Sequence, residues 1–199
     1  VTGQGVFNVI GATTDASDSI INLGGSDRHS GFDLENNTTL TIKNIKIQGG
    51  TIALKSETSG QTTLENVIFD DNTTAILLNT GNITLKNVVT TAQQSSEIKN
   101  DIISYATLNL NSGGSSLYAD VTNNGTLTTD NTNYLAKLIN NGNAQLRGTT
   151  TITTLNNDTA ESKVSTTGTT VIDTVTNSGE ITTTGTNTFK TISNSNKIT

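Results

Sequence analysis

The sequence predicts an all-β fold, a parallel β-solenoid of about nine or ten coils stacked into a rod. Three observations carry it. Apolar residues recur at a fixed spacing, asparagine recurs in the same register, and the composition leaves little material for helices. A strand alternates its side chains between two faces, so each short patch buries one face, yet no patch holds enough apolar surface to fold alone. Stacking equivalent patches about 4.8 Å apart builds a continuous core from thin layers.

The second half, residues 106–199, wraps at about 17 residues per coil. One apolar column reads Leu110, Leu127, Ala144, Val164, Ile181 and Ile198. A second reads Tyr118, Leu135, Ile152, Ile172 and Phe189, and a third Val121, Leu138, Leu155, Val175 and Ile192. All three slip by three residues within one coil, which places an insertion between Asn157 and Val164 that carries Asp158, Glu161 and Lys163 into solvent. A polar column keeps the same register: Asn123, Asn140, Asn157, Asn177 and Asn194. It falls where a strand gives way to a turn. Asparagine tolerates left-handed backbone there, and stacked amides can hydrogen-bond from coil to coil. Ser115, Thr132, Thr149, Thr169 and Thr186 form an expected outward hydroxyl ladder.

The first half, residues 1–91, follows the same logic with coils of about 21–24 residues. The segments 40–47, 64–69 and 83–89 superpose on Asn44, Asn66 and Asn87, each followed by a further apolar patch such as Ile52-Ala-Leu54 or Ile76-Leu77-Leu78. Patches at 6–10, 20–23 and 32–34 supply one or two opening coils. Residues 92–105 break the pattern and are expected to form an irregular loop or short helix. The whole chain reads as one solenoid, with both ends in mid-pattern, as expected of a piece of a longer rod.

Composition bounds the function. Charged residues are 14%, the net charge is -6 and the pI is near 4.6, which argues against nucleic acid or an anionic membrane surface as partner. The longest apolar runs fall far short of the roughly 18 residues of a membrane-spanning helix. With no cysteine, disulfides and thiolate metal sites are ruled out.

The repeats Asn123-Asn-Gly125-Thr-Leu127, Asn140-Asn-Gly142-Asn-Ala144 and Asn177-Ser-Gly179-Glu-Ile181, with Gly81-Asn-Ile-Thr-Leu-Lys-Asn-Val88, carry a resemblance. The chain resembles the β-helical passenger regions of bacterial autotransporters and filamentous-haemagglutinin-like adhesins, which have the pectin-lyase-like β-helix. One repeat departs from the pattern: Asn157-Asp-Thr159 lacks the glycine. The resemblance implies a right-handed β-helix, secretion to the bacterial surface, and a virulence-associated structural role in attachment, display or self-association. It also implies partners among surface proteins or glycans of a host or neighbouring cell.

Candidate chemistry is sparse. A polysaccharide lyase of this fold needs clustered carboxylates and a basic residue, and a glycosidase needs two carboxylates across a groove. Asp70-Asp71 is the one tight acidic doublet; it suits a solvated corner first and a calcium ion second. His29 lies with Asp27, Arg28 and Ser30 in a glycine-flanked loop, where sequence neighbours cannot assemble a triad. Tyr105, Tyr118 and Tyr134 could stack on sugars if exposed, although Tyr118 lies in an apolar column and Tyr134 beside one. No enzyme activity and no cofactor is expected. The alternatives are a carbohydrate-binding or carbohydrate-active β-helix, and an ice-binding solenoid presenting Thr-X-Thr pairs such as Thr149/Thr151 and Thr186/Thr188.

Overall fold

Thr, Val, Ile and Leu at alternate positions fit a pleated surface, and Asn and Gly between them fit bends. The strands form accordingly. The structure, a computed structural model, describes residues 5–24, 29–91, 95 and 99–199, with the backbone alone for 112–117. It is a β-solenoid of about eight coils, with parallel strands throughout the pairings. Among the described residues the one helical segment is the three-residue 3-10 turn Ala16–Asp18, capped by the Asp15 side chain on the Ser17 amide, and no helix is long and apolar enough to cross a membrane.

Each coil has three sides. The opening coil shows them separately: Val6–Ile10 pairs with the start of Thr39–Gln48, Ile20–Asn22 with its end, and Phe32–Asn36 with Ile52–Thr58. The three opening patches are therefore the three sides of one coil. On the first side the inward column runs Phe7, Leu40, Thr62, Ile83, Leu108, Leu127, Ala144, Val164, Ile181, Ile198. Leu127 thus stacks on Leu108. Leu110, placed in this column by a step of 17, belongs to the neighbouring inward column, between Leu85 and Thr129. The reason is a bulge: registration shifts between Gly113 and Ser116, so the first 17-residue step begins only after it. Ser115 lies within that shift, and Gly113 instead pairs with Thr132.

The other columns stand as read. Tyr118, Leu135, Ile152, Ile172 and Phe189 stack on the second side; Val121, Leu138, Leu155, Val175 and Ile192 stack on the third. The third-side column extends upstream through Phe32, Leu54, Ile76 and Ile102. All but the outermost members are buried, whereas Ile192 in the last coil is 46% exposed because no layer covers it. Asp101–Ser104 is a strand, paired with Thr74–Leu78 and with the 107–123 strand. It lies inside the segment 92–105 expected to be irregular: Ile102 is too short an apolar patch to stand out in sequence, yet the column supplies neighbours on both sides. Residues 92–94 and 96–98 lie outside the described residues, as do 25–28 of the loop holding Arg28.

Candidate functional site

The corners are where this chain departs from a plain stack of strands. At the corner between the third and first sides, the asparagine column forms a continuous ladder. Asn123 Nδ2 donates to Asn140 Oδ1 at 2.8 Å, Asn140 to Asn157 at 2.8 Å, Asn157 to Asn177 at 2.7 Å, and Asn177 to Asn194 at 2.7 Å. The first four are buried. Each amide also closes its own bend: Asn177 Oδ1 accepts from the Gly179 amide and its Nδ2 donates to the Gly179 carbonyl. A buried amide satisfied this fully stabilises, whereas an unpaired one costs about 1–3 kcal/mol.

Backbones stack tightly outside this ladder. A Cβ on Gly142 would lie 2.2 Å from the Gly125 carbonyl oxygen, and one on Gly179 would lie 2.2 Å from that of Ser162. Ser162 is the missing glycine of the irregular repeat. The Glu180 amide donates to its carbonyl as the Asn143 amide does to Gly125, and the inserted residues fold into a loop tied by Ser162 Oγ to the Thr159 carbonyl at 2.7 Å. The insertion holds Asp158 and Glu161 exposed, as read, but Lys163 is the first residue of the next strand.

The left-handed conformation expected at the ladder sits elsewhere. At the corner between the first and second sides, Asn44, Asn66, Asn87 and Asn131 have φ of 55°, 53°, 52° and 60°, and Gly148 has 65°. The strand registers place Gly11 above Asn44, and Gly168 and Gly185 below Gly148, in this one column. Left-handed backbone is open to glycine and, at modest cost, to asparagine; in this column Gly148 takes it as the asparagines do, whereas Gly11, Gly168 and Gly185 do not. Asn66 Nδ2 donates to Asn44 Oδ1 at 2.9 Å. A third amide pair, Asn72 and Asn100, is buried at the corner between the second and third sides, with Asn72 Nδ2 donating to Asn100 Oδ1 at 3.1 Å and its Oδ1 accepting from the Gly50 amide. Its spacing spans the 92–99 insertion, so no regular period marks it.

The candidate ionic site is engaged within the fold. Asp70 pairs with Lys46 at 2.6 Å and accepts from the Thr91 hydroxyl. Partial burial pushes its carboxyl up, but the Lys46 and Thr91 hydrogen bonds outweigh that and hold it below the usual value. Asp71 takes the left-handed bend, with φ of 52°. No group of three or more His, Cys, Asp or Glu that could hold a metal occurs among the described residues. His29 is exposed, and its backbone joins Leu23 to Thr51. Tyr118 is fully buried, while Tyr105 and Tyr134 are 57% and 44% exposed, so only the latter two present rings to solvent.

The outward faces are mostly hydroxyl and amide. Thr132, Thr149, Thr169 and Thr186 stack in one column. Ion pairs bridge neighbouring coils at Lys43–Glu65, Lys190–Asp173 and Lys197–Glu180. No protein-family model matches the chain, and no match is found among curated proteins or solved structures. The fold and its asparagine ladders define the class, a parallel β-solenoid.

Proposed function

We propose that the chain is a structural and adhesive rod of the bacterial exterior, holding or forming a contact surface rather than performing catalysis. One observation supports this most: apolar columns and amide ladders run from coil to coil along the solenoid, and the outward columns are mostly hydroxyls, amides and charges. Eight coils at about 4.8 Å each give a rod close to 40 Å long. Binding in such a molecule uses broad faces, with Tyr105, at the corner between the third and first sides, and Tyr134, on the second side, as exposed aromatic groups. The resemblance to autotransporter passengers and filamentous-haemagglutinin-like adhesins supports the location.

The test is a binding screen of the purified chain against host-cell surfaces, matrix proteins and glycans. Saturable binding that falls in Tyr105→Ala or Tyr134→Ala, with unchanged thermal unfolding, is the expected result. Absence of binding to every surface would reduce the role to that of a spacer.

A further inference from the structure

The inside of the corner between the first and second sides changes character along the rod. Upstream the inward residues that flank the bend are apolar and buried: Ile42, Leu64 and Leu85 before it, Ile45, Val67 and Val88 after it. Downstream they are mostly hydroxyl and amide. Thr129, Leu146, Thr166 and Thr183 stack before the bend, and Asn133, Thr150, Thr170 and Asn187 stack after it. The bend is also longer there. Lys43 and Asn44 alone separate Ile42 from Ile45, whereas Thr167, Gly168 and Thr169 separate Thr166 from Thr170. Smaller side chains and a longer bend both enlarge the space inside the corner.

One level of this polar corner closes on itself. Thr129 Oγ1 and Thr150 Oγ1, on neighbouring coils, meet at 2.9 Å, and both reach the Arg147 carbonyl. The equivalent pair two coils further on is Thr166 and Asn187, and it stays open. Among the described residues, Thr166 Oγ1 and Asn187 Oδ1 have no hydrogen-bond partner, nor has Thr170 Oγ1, whose residue pairs with Asn187 across the coils. Thr166 and Thr170 are 0% and 1% exposed, so bulk solvent does not reach their hydroxyls. Three neighbouring oxygens thus face one interior space with their hydrogen bonds unmade.

We propose that this corner is a binding site for one ordered water molecule, bridging Thr166 Oγ1, Thr170 Oγ1 and Asn187 Oδ1. The chemistry of the three groups selects it. A buried hydroxyl or amide oxygen without a partner costs stability, and a protein retains internal water where a polar site offers about two to four partners. Asn187 Oδ1 can only accept, whereas each threonine hydroxyl donates or accepts. The water donates to Asn187 and to one threonine and accepts from the other, which satisfies all three oxygens at once. Three uncharged oxygens are too few for a divalent cation such as calcium, which takes about six or more, carboxylates among them. Nearby main chain is already engaged: the Thr184 amide donates to the Thr166 carbonyl, and the Thr186 amide to that of Gly168. The site belongs to the downstream half alone, since the upstream corner is lined by apolar side chains.

Thr170→Val keeps the branched shape and strand preference of the residue and removes only the hydroxyl. Its effect has opposite signs in the two cases. Deleting an unsatisfied hydroxyl raises the urea unfolding midpoint, whereas deleting one that holds a shared water lowers it. The midpoint is expected to fall. Magnetic relaxation dispersion of water, which counts molecules held for long times inside a protein, is expected to lose one in Thr170→Val. Thr170→Ser, which retains the hydroxyl, is expected to keep it. Thr166→Val is expected to act as Thr170→Val does, and the double variant to lower the midpoint by less than the two shifts together, because the first change already releases the water. A midpoint that does not fall in Thr170→Val, an unchanged water count in it, an equal loss in Thr170→Ser, or fully additive shifts overturns the proposal. The adhesive reading rests on its own binding screen and is untouched by either result.

Discussion

The two halves of the solenoid build the same three-sided coil with different corner devices. Upstream of residue 105, the corner between third and first sides carries Leu34, Ser56, Leu78 and Ser104 on its inner face, and the bend between the first and second sides carries Asn44, Asn66 and Asn87. Downstream the roles exchange. The inner face becomes the ladder Asn123 to Asn194, and the left-handed bend passes from Asn131 to Gly148 and ends there, Gly168 and Gly185 following in the column without a positive φ. Apolar layers are common to both halves. The sides fix the coil and the corners absorb length, so insertions such as 92–99 and 158–161 leave the columns intact.

The largest effect that tests this division is expected from a shared layer. Leu155, fully buried, should lose about 2–5 kcal/mol on change to Ala, and Leu54→Ala a similar amount, as both leave cavities between fixed layers. Denaturant unfolding measures it. A much smaller loss at Leu54 would mean that the long-coil half is held by its loops instead.

Next comes the close backbone stacking at the corner between the first and second sides. Gly168→Ala puts a Cβ 1.9 Å from the Gly148 carbonyl oxygen, and backbone cannot yield as a side chain can. A loss of about 1–3 kcal/mol or more is expected, read from the same unfolding curves.

The asparagines then separate by role. Asn140→Gly strands the Asn123 and Asn157 amides in a buried corner and is expected to cost about 1–3 kcal/mol. Asn66→Gly keeps the left-handed bend and forfeits a part-buried contact to Asn44 and an exposed one to the Thr14 carbonyl, with an expected cost of about 1 kcal/mol. Equal costs would erase the distinction between ladder and bend.

The smallest effects are electrostatic and opposite in sign. Asp70 has its pKa lowered by folding, so its contribution is present above the unfolded value near 3.8 and lost as pH falls through the folded one. Asp101 has its pKa raised, so its folded form holds a proton more tightly and stability falls as pH rises from 3.8 through the folded value. Thermal melts at neutral pH are therefore expected to drop for Asp70→Asn and rise for Asp101→Asn.

Legibility followed regularity. Where coil length is constant but for one three-residue insertion, from Tyr118 onward, spacing alone gave two apolar columns and the asparagine ladder, because a repeated step in sequence is a repeated step along the rod. Where length varies it misled by the size of the irregularity. Two residues unmatched near Gly113 shifted Leu110 by one inward position, and the unpatterned sequence 92–99 concealed both the strand Asp101–Ser104 and the Asn72–Asn100 pair.

By itself, then, the sequence determined the solenoid, its core columns and its principal ladder, because all three rest on periodic burial, and period is a property of the chain. Only the tertiary structure decided which asparagines bend the backbone and which bond across coils. Both are the same residue near a turn, and they differ only in whether the side chain faces the packed interior or the bend itself. It also decided which charges find partners. Lys46 meets Asp70 although Gln48 is the residue in register with it, while Asp120 stands in register with Lys137 and makes no ion pair with it among the described residues, a difference invisible to spacing.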